Sequence, residues 1–183
     1  MGEAGIVSPG LARSGAAGVL AALLALTGCA SRGSDAPPLA CPEPAIVDGL
    51  ASVDRYRTEG EVRPEGLAYT AALQNIGGGC RVEGADLLVE LTVEVVVEAG
   101  PAFGGSAVEL PYFVAVTAPG GRVLDRRDFT ARVVVPAGGR RAGTAESFSQ
   151  RFVGVGRQGA AGYQILFGFP LPRDEALRRR EEG

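Results

Sequence analysis

This sequence predicts an all-β protein, an antiparallel sandwich of about seven strands. Three observations carry that prediction. Apolar residues recur with a period of two rather than 3.6. Turns rich in glycine and proline separate the apolar segments at short, near-regular intervals, which favours a sandwich or a partly open barrel over βαβ units. Apolar residues make up 46% of the 183-residue chain, enough to build a core.

The elements follow in order. A weak strand is expected over Ala45 to Val53, and Leu67, Tyr69, Ala71 and Leu73 share one face of the next. The clearest segment is Leu87 to Glu98. There Leu87, Val89, Leu91, Val93, Val95 and Val97 share a face, while Leu88, Glu90, Thr92, Glu94, Val96 and Glu98 form the other. Val108 to Ala118 is apolar on both faces. Arg122 to Val135 and Thr144 to Val155 are two further strands, and Tyr163, Ile165, Phe167 and Phe169 mark the last. Pro119-Gly120-Gly121 reads as a hairpin connection. Pro136 to Gly143 and Gly154 to Gly162 read as loops. A short helix over Asp174 to Glu182 follows Pro170 and Pro172, carries few apolar residues and is expected to dock weakly or fray. The architecture is expected to be immunoglobulin-like, although the chain lacks tryptophan and the Cys–Trp–Cys spacing of true immunoglobulin domains.

Composition removes several functions. The chain has no histidine, so Ser-His-Asp and Cys-His catalysis are closed to it, and so is the commonest metal ligand. A net charge of -3 gives no argument for a nucleic-acid partner. All 18 basic residues are arginine, which reflects coding bias rather than function.

Residues 1–28 read as a targeting segment rather than as fold. Arg13 precedes the uncharged run Ala16 to Leu26, far shorter than the roughly 20 residues needed to span a bilayer. Glu3 offsets Arg13, an offset that a translation start downstream of Met1 would remove. The run ends in Leu26-Thr27-Gly28-Cys29, which resembles the lipobox of bacterial lipoproteins. The resemblance covers four residues, and their position after an apolar run makes it specific. It implies cleavage after Gly28, a diacylglycerol on the Cys29 thiol and acylation of the new amino terminus. Several acyl chains anchor stably, whereas one binds only marginally. Cys29 is thus expected to fix the protein to a membrane facing the periplasm. Ala30, where an Asp would mark inner-membrane retention, leans toward the outer membrane.

With Cys29 modified, Cys41 and Cys80 remain, and an even pair in an oxidising compartment reads as one disulfide. It would clamp the segment starting Cys41-Pro42 onto the sheet near Gly79-Cys80. Two free thiols or a metal pair are the rival readings, and two Cys without His make a poor zinc site. Residues 29–44, with Pro37, Pro38, Pro42 and Pro44, form a tether, residues 45–170 the sandwich and residues 171–183 the tail.

The remaining candidates are weaker. Gly77-Gly78-Gly79 and Gly154-Val155-Gly156 match no phosphate loop and read as turns. Arg126-Arg127, Arg140-Arg141 and Arg178 to Arg180 could grip anions, but interleaved acids such as Asp125 and Asp128 favour ordinary solubilising charge. Glu90, Glu94 and Glu98 look like a solvated face. Pro111-Tyr112-Phe113 marks a possible exposed edge used for a partner, because Pro within a strand belongs on an edge or at a bulge; burial of the two rings is the plainer alternative. No cofactor is implied. The sequence therefore reads as a non-enzymatic, lipid-anchored envelope accessory or assembly factor that contacts an unidentified envelope protein. The alternative is a module holding a small apolar or lipid ligand between its sheets, and the small β-rich lipoproteins of Gram-negative envelopes are similar in layout.

Overall fold

The computed structural model describes residues 39–58, 62–156 and 160–171. Their strands are β1 (Glu43–Ile46), β2 (Ser52–Tyr56), β3 (Leu67–Glu83), β4 (Asp86–Ala99), β5 (Ala107–Thr117), β6 (Val123–Val134), β7 (Arg141–Phe152) and β8 (Gln164–Gly168). A single 3₁₀ turn, Pro64–Gly66, precedes β3. Among the described residues the protein is all-β, as expected. The predicted helix over Asp174 to Glu182 lies outside the described residues.

Two four-stranded sheets pack face to face, with orders β1-β8-β5-β6 and β2-β3-β4-β7. All ladders are antiparallel except β1–β8, which is parallel. The chain changes sheet from β1 to β2, β4 to β5, β6 to β7 and β7 to β8. Because β4 neighbours β7 and β5 neighbours β8, the β4–β5 and β7–β8 crossings interlock. The seven-strand expectation is corrected to eight. Ala45 to Val53 is broken at Asp48-Gly49, where Gly49 has φ 72° and Leu50 N–H bonds the Val47 carbonyl. The chain thereby leaves one sheet and enters the other.

The alternation over Leu87 to Glu98 holds on the inward face; on the outward face Val96 is buried as well. Leu87, Val89, Leu91, Val93, Val95 and Val97 are all buried, and they meet Leu110, Tyr112, Val114 and Val116 of β5 in one core. Each such side chain contributes about 1.5–3 kcal/mol of hydrophobic stabilisation. Phe148, Phe152, Ile165 and Phe167 complete the core.

The three glycines at 77–79 are not a turn. They lie inside β3, just past a bulge between Gln74 and Gly77 in which Asn75 takes φ 52°. Gly78 itself has φ 124°, and a Cβ there would stand 2.2 Å from the Glu90 carbonyl oxygen. Cys41 and Cys80 are bonded, with Cα atoms 5.7 Å apart. The bond joins the residues entering β1 in one sheet to the C-terminal part of β3 in the other, so it ties the sheets together.

Candidate functional site

Cys29 lies outside the described residues. The Pro111-Tyr112-Phe113 edge is corrected: β5 is an inner strand, flanked by β8 and β6, and both rings are buried. Tyr112 points into the core and stacks on Phe129 at 5.4 Å. Phe113 lies on the opposite face, beneath the Arg126 guanidinium at 4.3 Å. Pro111 is tolerated because the β8 ladder stops at Phe113–Gly168, leaving Pro111 paired to β6 alone.

The outward acids of β4 are engaged. Arg81 pairs with Glu90, and Arg141 lies 3.4 Å from Glu98. Glu94 Oε2 accepts hydrogen bonds from Gln74 Nε2 at 2.9 Å and Asn75 Nδ2 at 2.6 Å. These bonds, Gln74's foremost, hold the Glu94 carboxyl below its ordinary range. Glu94 therefore stabilises the bulge of β3, which is more than the solvated-face reading assigned to it. Glu83 is likewise held low, first by Arg151.

Strand edges distinguish the two sheets. β1 and β2 have four and five residues, too short to template much pairing. β6 carries Asp125, Arg126, Arg127, Asp128 and Arg132, the charged pattern that discourages edge pairing. β7 differs. It pairs with β4 over twelve consecutive positions without a register shift, and among the described residues no strand is hydrogen-bonded to its other side. Between Arg141 and Arg151 its outward side chains are Gly143, Ala145, Ser147 and Ser149.

The direction of the β7 backbone groups follows from two contacts. Ala99 N–H donates to the Arg140 carbonyl, so even-numbered residues of β7 turn toward β4. Odd-numbered residues turn to the free edge, and accordingly the Ser149 carbonyl accepts from Arg127 Nη2 of β6 at 3.5 Å. No described residue takes up the edge-facing amides of Gly143, Ala145 or Ser147. These groups were hidden from the sequence, because which residues face an edge depends on a partner distant in the chain.

An aromatic seam supports this edge from behind. Phe129 of β6 meets Phe148 of β7 edge-on at 6.2 Å, and Phe148 meets Phe167 at 6.0 Å. Burial, reinforced by Glu146, pushes the Tyr112 hydroxyl up to about 12, so it stays protonated.

The clefts formed by described residues open at the surface. One of about 530 Å³ lies between the β4–β5 and β6–β7 loops, and a smaller one of about 260 Å³ lies on β4 and β7 at Thr92 and Ser147. Among the described residues no group of three or more Cys, Asp or Glu could hold a metal ion, and no helix is long and apolar enough to cross a membrane. The arrangement can donate and accept backbone hydrogen bonds along one straight edge. No family model matches this chain, and no curated protein or solved structure matches it.

Proposed function

We propose that this chain is a lipid-anchored envelope protein, carried on Cys29 at the periplasmic face of the outer membrane. Its immunoglobulin-like sandwich acts as an accessory factor by accepting an extended segment of another envelope protein along β7. The single observation that carries this reading is the edge itself, with unpaired amides at Gly143, Ala145 and Ser147 on a straight twelve-residue strand. Strand addition gives affinity through the main chain and specificity through alternate side chains. The lipobox-like Leu26-Thr27-Gly28-Cys29 and the Cys41–Cys80 bond, which belongs in an oxidising compartment, support the location. The interlocked pairs β4/β7 and β5/β8 support the immunoglobulin-like assignment.

A second copy of this chain is a poor occupant. Full antiparallel self-pairing about Glu146 sets Arg141 against Arg151 at both ends and Glu146 against itself, and like charges directly opposite destabilise a sheet.

Proline tests the reading. Ala145→Pro removes an amide that faces the free edge, so the protein's own ladder survives while an added strand is blocked. With a photo-crosslinker at Ser147 in the membrane-bound protein, wild type should give a discrete adduct that Ala145→Pro abolishes at unchanged melting temperature. An adduct of equal yield in both would sink the proposal. For the anchor, Cys29→Ser should abolish incorporation of a fatty-acid analogue; equal labelling would refute it.

A further inference from the structure

Nearly every strand arginine in this protein is matched to an acid. Arg81, Arg126, Arg127, Arg132, Arg141 and Arg151 each reach a carboxylate within 4 Å, and Arg55 of β2 bonds the Asp54 carbonyl. Arg140, in the loop just before β7, does neither. Among the described residues its guanidinium has no acidic or hydrogen-bonding partner, although its backbone is fixed by the Ala99 N–H at 2.7 Å.

Its position gives the missing partner meaning. Arg140 lines the cleft of about 530 Å³ together with Phe103, Val135 and Pro136, and it also lines a neighbouring cleft of about 240 Å³ that contains Glu98. Gly100 and Pro101 belong to both, so Arg140 sits where the two meet. The larger lobe falls in the size range of small-molecule sites. Its wall combines an aromatic ring, aliphatic side chains and two glycine-bearing loops that leave backbone close to any occupant.

We propose that this cleft binds a small monocarboxylate, its apolar body against Phe103 and Pro136 and its carboxylate forked onto Arg140. The choice of anion follows from charge. One guanidinium presents two parallel N–H donors that match a carboxylate bidentately. A phosphate near neutral pH carries almost two charges, so it would leave an excess of negative charge beside Glu98. Glu98 puts a carboxylate in the smaller lobe that Arg141 at 3.4 Å only partly offsets, so it disfavours an anion there and directs the ligand into the larger one. The site is separate from the β7 edge and does not depend on it.

Benzoate and benzamide, alike in shape and different in charge, form the test. The full chain in its membrane is treated with phenylglyoxal, which modifies accessible arginines, and peptide mass spectrometry follows each site. Arg140 should react, and benzoate should slow its modification several-fold while benzamide does not. Arg122, also without a partner among the described residues and placed in the β5–β6 turn, should react equally with and without benzoate. Saturation-transfer NMR of benzoate should show binding to wild type that is lost in Arg140→Gln at unchanged melting temperature. Protection by benzamide, equal protection of Arg122, no protection of Arg140, or undiminished binding to Arg140→Gln would each overturn the proposal.

Discussion

The guanidinium of Arg127 in β6 lies 4.8 Å from the ring centroid of Phe148 in β7. It closes the side of the sandwich where the last strands of the two sheets run beside each other. The same side chain hydrogen-bonds the Gln150 side chain and the Ser149 carbonyl, and its Nε lies 3.4 Å from Asp125. A charged residue thus does the work of a core lid: the flat guanidinium covers the ring and its edges remain solvated.

Removing that lid should weaken the fold. Arg127→Ala is expected to lower unfolding stability by about 1 kcal/mol, the size of a partly exposed cation–π contact with its packing. Arg127→Lys should restore only part of the loss, because an ammonium cannot stack flat. Urea denaturation of the three proteins measures this; identical midpoints would contradict the role given to Arg127.

Neighbouring positions on β4 should respond in opposite ways. Val93 is fully buried, and Val93→Asp would bury an unpaired carboxylate at a cost of several kcal/mol, on the scale of a small domain's whole stability. That variant should fail to fold. Glu94→Gln should fold and be measurably less stable than wild type near neutral pH.

The Glu94 deficit should depend on pH. The folded carboxyl is held below its unfolded value, so its contribution is complete above the ordinary carboxylate range and disappears as pH falls through the folded value. The stability gap between wild type and Glu94→Gln should therefore narrow from about pH 7 to about pH 3. A constant gap in denaturant titrations would show that Gln74 and Asn75 do not recognise the charge.

Adjacent glycines in β3 should differ sharply. Gly78→Ala places a methyl 2.2 Å from the Glu90 carbonyl oxygen at a positive φ, and it should cost at least about 2 kcal/mol. Gly79→Ala meets nothing within 4 Å and should stay within about 1 kcal/mol. Thermal melts of the two variants decide the matter, and equal losses would refute the close approach of β3 to β4.

The bridge should also be measurable. Cys41 and Cys80 are 39 residues apart, for which loop-closure entropy alone gives about 4 kcal/mol. Reduction should lower the melting temperature, and protein purified without reductant should show no free thiol at these two positions. Two titratable thiols would contradict the pairing.

The two ends of this fold's legibility are β4 and β7. The alternation over Leu87 to Glu98 was visible because the inward face of β4 is apolar at every position and the outward face carries Glu90, Thr92, Glu94 and Glu98, with Leu88 and Val96 the exceptions. The break at Asp48-Gly49 was not, since strands of four and five residues carry too little period to separate. Gly77 to Gly79 resembled a turn because glycine favours turns; the reason for Gly78 is the Glu90 carbonyl, twelve residues away in the chain. Pro111 suggested an edge, and only the order of strands shows that β5 is internal. For β7 the small outward residues were readable, whereas their lack of a neighbour was not.

The Cys41–Cys80 bond also decides how the domain bears a load. Tension applied to the chain ahead of Cys41 enters the body through the sulfur bridge and arrives in the C-terminal part of β3, opposite Val89 of β4. It bypasses β1, whose four pairs with β8 would otherwise peel apart one after another. Strand β3 is held by β4 along most of its length, so the pull is spread over many hydrogen bonds strained together. Mechanical failure then requires either reduction of the bridge or rupture of the β3–β4 ladder, and a pull ahead of Cys41 leaves β1 in place.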